Sequence, residues 1–225
     1  MDERWPFFTV DIELTNICGQ NCRFCPRLRI TRPAGFIDPG LFAQIMRQLA
    51  QQGSRVTLCG MGNPLLHPHW HEIAAICRES GLKYGLTIQA PALDQQNIAK
   101  IEELAPFFIE ISFPTIDQEH FSRIYPDQDL TSSLNGLQNL ITARGSTRGI
   151  SIISIRTADE PLAPEKTADF WSERKLSFRQ HLCHSRGGNL EEGALTTART
   201  IEKCGLFATH SFITWQGRLL ACCHD

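Results

Sequence analysis

Six short segments that read as strands recur along the chain, and each except the last is followed by a stretch with helical periodicity. They are 9–15 (TVDIELT), 55–60 (RVTLCG), 83–89 (KYGLTIQ), 107–113 (FFIEISF), 149–156 (GISIISIR) and 176–182 (LSFRQHL). The helices between them carry their own punctuation. Asp38 reads as an N-cap with Pro39 in the first turn and Gly53 as the stop; a helix from about His69 to Ser80 closes at Gly81; Asp94 opens another. Further helical stretches lie between Asp117 and Arg144 and from about Glu165. Alternation of this kind implies parallel strands joined by right-handed crossovers.

The strand patterns also say which faces are apolar. Val10, Ile12 and Leu14 oppose Asp11, Glu13 and Thr15; Phe107, Ile109, Ile111 and Phe113 oppose Glu110 and Ser112; Leu176, Phe178 and Leu182 oppose Ser177, Arg179 and His181. A doubly wound sheet buried on both faces would read as nearly continuous apolar runs. Helices outside and a polar inside predict an α/β fold, a partial (β/α)6 TIM-like barrel with a wet or ligand-filled lumen. A mixed sheet with one solvated face is the alternative. The barrel is expected over 1–184 and a Gly-, Ser- and Thr-rich linker over 185–203. Residues 204–225 form the start of a small extension, with a β-hairpin around Gln216 and Gly217.

The 225 residues, 42% hydrophobic and 20% charged, suffice for one large domain. A net charge of -2 with scattered Lys and Arg gives no field for gathering nucleic acid. The acidic N-terminus lacks a basic region followed by a long apolar run, so neither a signal peptide nor a membrane span is expected, and the location expected is cytoplasmic. Nine cysteines in that setting are reduced, and clusters of them point to metal or chemistry rather than disulfides.

Three of the nine crowd into CGQNCRFC. Cys18, Cys22 and Cys25 have the spacing C-x3-C-x2-C and follow the first strand at its C-terminal end, where barrel enzymes place their chemistry. A structural zinc site wants four ligands, and no fourth stands nearby. Three thiolates on a 4Fe-4S cube leave one iron open to a small ligand.

On these residues the chain resembles the radical S-adenosylmethionine (radical SAM) enzymes, whose six-stranded partial barrel carries such a loop after strand one. The resemblance implies that Cys18, Cys22 and Cys25 hold a 4Fe-4S cluster whose open iron is chelated by SAM. Reductive cleavage of SAM would then yield a 5'-deoxyadenosyl radical that abstracts a substrate hydrogen. Phe24 would lie close to the adenine. GMGNPLLHP resembles the family's glycine-rich segment, so the backbone of Gly60, Met61, Gly62 and Asn63 would meet the methionine amino group, with Asn63 standing where a Glu is usual. EISFPTID resembles the family's strand-four region, which assigns Ser112 to the ribose, with Pro114 where an Asp is common. Arg156, expected on the polar face of strand five, is a donor fork for SAM's carboxylate. Arg179 and His181 either line the substrate cavity or pair with Glu13 or Glu110.

The tail resembles the opening of SPASM and twitch extensions, which bind auxiliary iron-sulfur clusters. Cys204, Gly217 and Cys222 fit its spacing, and Cys223 follows. The motif reads as incomplete, short of ligands unless Cys183 or a nearby His contributes, with an exposed hairpin. Cys77 is expected in the core with Trp70, Ile73 and Ala74, and Cys59 points inward. His67, His69 and His71 resemble a metal tract, and a surface and capping role is the expectation.

The resulting expectation is a radical SAM enzyme that modifies a peptide or protein. The alternatives are a radical dehydrogenase of a sugar or cyclitol, or a non-catalytic cluster-binding relative. A zinc module on Cys204, Cys222, Cys223 and His224 is a third. A reductant such as flavodoxin or ferredoxin is the implied partner.

Overall fold

A computed structural model describes residues 9–186, 189–190, 209–220 and 222–223. Strands β1 (Thr9–Ile12), β2 (Arg55–Leu58), β3 (Tyr84–Gln89), β4 (Phe108–Ser112), β5 (Ile150–Arg156) and β6 (Ser177–Leu182) pair in parallel, each with its neighbour in sequence. Helices α1 (Pro39–Gln52), α2 (Trp70–Glu79), α3 (Gln95–Leu104), α4 (Gln118–Ile124), α5 (Leu130–Arg144) and α6 (Pro164–Glu173) fill the crossovers, two of them between β4 and β5. A doubly wound sheet reverses its strand order at a switch point. Here the order never reverses from β1 to β6, so right-handed crossovers place every helix on one side and leave the other side for a lumen.

Local signals work as the sequence suggests. Asp38 accepts from the Leu41 N–H at 2.9 Å, and Gly53 closes α1 with φ of 67°. Asp94, Asp117 and Asp129 cap α3, α4 and α5 in the same way. The core lies between sheet and helices. Val10, Ile12, Val56, Leu58, Leu86, Ile109, Ile111 and Ile152 are sealed under Phe42, Met46, Ile73, Ile101, Leu140 and Trp171, and Cys77 is buried among them. Each such side chain contributes roughly 1.5–3 kcal/mol of transfer free energy.

Four expectations need correction. First, β1 ends at Ile12, and Thr15 instead forms an isolated antiparallel bridge to Phe36. Phe107, read as a core residue, precedes β4 and is 65% exposed, with the Lys83 ammonium 5.3 Å from its ring. Leu182 is 54% exposed, because β6 is an edge strand with little packed against it.

The fourth concerns the tail. β7 (His210–Ile213) and β8 (Leu219–Leu220) form the expected hairpin, closed by Gly217 at φ of 77° and a Gly217 N–H bond to Thr214 O of 2.8 Å. The hairpin is no exposed appendage. β7 joins the sheet in parallel beside β1, with Thr9 opposite His210 and Ile12 opposite Ile213, so Ser211, Phe212 and Ile213 are buried. An edge strand offers unpaired N–H and C=O groups, and β7 satisfies those of β1. The sheet thus has eight strands in the order β6-β5-β4-β3-β2-β1-β7-β8. Among the described residues, no helix is long and apolar enough to cross a membrane.

Candidate active site

The cysteine loop leaves β1 through two side-chain anchors. Thr15 Oγ1 donates to Gly35 O at 2.7 Å, and Asn16 bonds Pro33 O and the Gly35 N–H at 2.8 and 3.0 Å. Within the loop, Cys25 N–H donates to Cys22 O at 3.0 Å, and Arg27 ties back to Gln20 O at 3.0 Å. Cys18 Sγ accepts from Gln20 N–H at 3.4 Å and from Gln89 Nε2 at 3.3 Å. Gln89, at the end of β3, is a contact that sequence reading missed. All three thiols are part-buried. Burial, reinforced by the charges of Cys25 and Cys18, holds the Cys22 thiol well above the ordinary range, and burial raises Cys25 as well. Metal loading must displace these protons, which makes it pH-dependent.

Among the described residues, no three His, Cys, Asp or Glu side chains converge as ligands of a single ion would. Thiolates on a cube bind different irons and stand further apart than ligands of one zinc. A part-buried loop with three mutually close thiols and no acidic residue from Cys18 to Ile37 suits the cube's donor set.

The glycine segment is interlocked with that loop. Asn63 N–H donates to Ile17 O at 2.9 Å, and Gly62 packs so closely that a Cβ would stand 2.3 Å from Thr15 O. Gly60, at φ of 142°, lies against the Glu13 side chain, where a Cβ would be 2.7 Å from Glu13 Cγ. Glu13, fully buried, takes the Met61 N–H at 3.2 Å and the Arg32 guanidinium. The side chain of Asn63 accepts the Leu65 N–H at 3.0 Å, which caps a short 3-10 turn over Pro64–Leu66 and leaves the segment's role to its backbone.

Phe24 is buried and meets Tyr125 edge-on, with ring centroids 6.4 Å apart. Tyr125 was invisible to sequence reasoning. Its hydroxyl donates to Ser112 O at 3.3 Å, and burial together with the charges of Cys22, Cys18 and Cys25 raises its pKa well above the phenolic range. Ser112 therefore stands at the same rim as the three thiols. Arg156 does not. It is in phase with Ile152 and Ser154, the buried, helix-side residues of β5, and its guanidinium donates to Leu162 O at 2.8 Å. The reading of Arg156 as a polar-face donor fork is corrected accordingly.

The lumen is floored at its N-terminal end. Phe108 fills the space left by Gly85, and Arg55 stacks on its ring at 3.7 Å. Higher up, Glu110 accepts from Thr87 Oγ1 at 3.2 Å and pairs with Arg179, so that Arg179 is indeed the partner of Glu110, whereas Glu13 pairs with Arg32. Burial pushes Asp11 up to about 6 from 3.8; hydrogen bonds from Thr57 and Cys59 oppose the shift, and the charge of Glu110 adds to it. A carboxyl with a raised folded-state pKa contributes most below the unfolded value and loses that contribution as pH rises through about 6. Asp11→Asn is expected to stabilise the protein by about 1–2 kcal/mol at pH 8, discounted for partial exposure, with the gain fading to nothing near pH 4. Thermal melting of both proteins across that range checks this; a pH-independent difference would contradict it.

Of the tail cysteines, Cys204 lies outside the described residues. Cys222 is exposed, and Cys223 sits with its carbonyl 3.5 Å from Arg32 Nη2 and its thiol raised by its hydrogen bond with Cys222 and by burial. Cys183 is fully buried in the core. The histidine tract is divided: His71 is exposed beside Glu103, whereas His67 is buried. His67 Nδ1 accepts the His69 N–H at 3.2 Å, so Nε2 carries the proton and donates to Ile37 O at 2.8 Å. His67 thus joins the loop before α2 to the segment before α1, in place of the surface and capping role expected.

Comparison with known proteins agrees with this layout. A family model described as the Radical SAM superfamily matches residues 12–163, more than half of the chain. No curated protein matches it. Solved structures share the fold at low identity, among them SuiB, BtrN and anSMEcpe. Streptococcus suis SuiB bound to precursor peptide SuiA has a TM-score of 0.76 at 14% identity, over 98% of this chain and 61% of that one. BtrN in complex with AdoMet and 2-DOIA has a TM-score of 0.60 at 17% identity, over 99% of this chain and 75% of that one. Native anSMEcpe with bound AdoMet has a TM-score of 0.62 at 14% identity, over 78% and 51%. The chain thus spans under two thirds of SuiB and about half of anSMEcpe.

Proposed function

The chain belongs to the radical SAM superfamily, and from that premise we propose that it is a radical SAM enzyme whose substrate is a peptide or protein. The observation that carries this reading is the interlock of the two loops. The Asn63 N–H on Ile17 O and the packing of Gly62 on Thr15 O hold the three thiols and the glycine backbone as one surface over the lumen. On this reading Cys18, Cys22 and Cys25 hold a 4Fe-4S cluster. Bound there, the cluster would supply the electron for reductive cleavage of SAM and so for hydrogen abstraction from the substrate.

The rest is the work of the chain's own residues. Gly60 to Asn63 offer main-chain groups to the methionine end of SAM, Ser112 offers a hydroxyl at the ribose, and Phe24 an apolar wall at the adenine. Glu13, locked by Arg32, holds the Met61 amide in place. Thr87, Glu110 and Arg179 orient the substrate inside the lumen, and the Phe108 floor closes its far end to water.

A peptide substrate is favoured by the higher TM-score of SuiB, 0.76 against 0.60 for BtrN. A small polyol or cyclitol is the second reading, motivated by the BtrN match over 99% of this chain. A second cluster on Cys222 and Cys223 would need ligands outside the described residues. A low-potential electron carrier such as flavodoxin or ferredoxin is the proposed partner. The test is anaerobic incubation of the reconstituted protein with SAM and dithionite, followed by chromatography for 5'-deoxyadenosine. Its appearance at more than one turnover supports the enzyme; a cluster that forms without any cleavage points instead to a non-catalytic relative.

A further inference from the structure

We propose that His120 and Glu160 are positioning residues for the cysteine loop, a buried link that holds Arg23, and with it the span from Cys22 to Cys25, against the mouth of the barrel. Its functional weight rests on the cluster reading above; its structural content does not.

His120 lies on the buried face of α4 beside Phe121 and Ile124 and is 0% exposed, and the side chain of Glu160, in the loop between β5 and α6, is 2% exposed. Nε2 of His120 stands 3.0 Å from Thr157 Oγ1 and 3.3 Å from Glu160 Oε2, and Nδ1 stands 3.1 Å from Arg123 Nη2. A guanidinium only donates, so Nδ1 accepts and the Nε2 N–H donates to Thr157 Oγ1, while Glu160 Oε2 lies beside Nε2 without a hydrogen bond. The other oxygen of Glu160 accepts from Thr115 Oγ1 at 3.0 Å and from the Leu162 N–H at 3.2 Å. Thr115 Oγ1 in turn accepts the Asp117 N–H at 3.1 Å, at the start of α4.

Apolar packing alone would bury α4 against this loop, but it tolerates sliding. The His120 ring on Thr157 and Glu160 Oε1 on Thr115 are satisfied in one relative placement only, since a displaced partner would leave them unpaired. Both ends of the link then reach the same residue. Ile124 O, at the end of α4, accepts the Arg23 N–H at 3.1 Å, and Asp159, the neighbour of Glu160, faces the Arg23 guanidinium at 3.5 Å. Arg23 is therefore held by its main chain from the helix and by its side chain from the loop, and the circuit closes through His120. Tyr125, next to Ile124, carries the same placement to Phe24.

The test is hydrogen-deuterium exchange of the metal-free chain, comparing wild type with His120→Leu, His120→Gln, Glu160→Ala and the core control Ile73→Val. Exchange in the peptide that spans Cys22 to Cys25 is expected to rise about tenfold in His120→Leu and Glu160→Ala while β2 and β3 stay protected. His120→Gln, which keeps an N–H donor near the Nε2 position, should restore most of the protection, and Ile73→Val should leave the loop as in wild type. An unchanged loop in both folded variants, or a rise spread evenly over the chain, would overturn the proposal. If His120→Leu does not fold, Glu160→Ala and His120→Gln carry the comparison. Because the readout needs no iron, wild-type protein that takes up no cluster on reconstitution would sink the functional reading separately.

Discussion

Replacing Cys18, Cys22 and Cys25 together with Ala is expected to remove a complement of about four irons and the matching sulfide from the reconstituted chain, and with it all cleavage of SAM. The thiols lie in a part-buried loop beyond the strand ends, so the fold itself should survive, with far-UV circular dichroism unchanged. EPR of the reduced protein before and after adding SAM gives the sharper comparison. Wild type should show a signal that changes with SAM, and the variant should show none. Iron that persists in the variant would move the cluster to the tail thiols Cys222 and Cys223, and a colourless wild type that binds zinc would end the radical assignment for this chain.

Gly62→Ala is the second large effect. The added methyl carbon would stand 2.3 Å from Thr15 O and 2.6 Å from Ile17 O, both main-chain atoms with no rotamer to yield. Either the glycine segment moves away from the cysteine loop or the Asn63 bond to Ile17 O is lost. A cost of about 2–4 kcal/mol follows, and SAM affinity should fall by roughly 30-fold or more while iron content is retained. Gly19→Ala in the same region is the control, since nothing lies within 4 Å of its added carbon and it should behave as wild type. Equal losses in both variants would mean that loop flexibility, rather than the interlock, governs SAM binding. Equilibrium dialysis with labelled SAM and iron analysis on the same samples separates these outcomes.

Much of the fold was legible because its signals are local. Asp38, Asp94 and Asp117 cap helices through bonds to amides three residues on, and Gly53 ends one by a backbone conformation that other residues rarely adopt. The site was legible where chemistry demands fixed spacing, as in the cysteines, and where close approach demands glycine, as at Gly60 and Gly62. Arg156 was misplaced because ISIISIR puts isoleucine on both faces of β5, so alternation alone cannot say which face is inside. His67 was misjudged because the acceptor that buries it, Ile37 O, comes from the segment before α1, thirty residues away in sequence.

By itself, the sequence determined the order and type of the elements, the polar inner face of the strands and the three-thiol loop with its glycine partner. All are periodicities or spacings within a few residues, where propensity and stereochemistry act. Only the tertiary structure decided that β7 completes the sheet beside β1, that Gln89 reaches Cys18 and Tyr125 meets Phe24, that Glu13 holds the Met61 amide, and that His120 through Thr157 and Glu160 through Thr115 tie α4 to the loop around Asp159. Those contacts join segments up to about two hundred residues apart. They exist because burial forces each polar group to find whatever partner the packed fold brings within reach, and no local pattern encodes that partner.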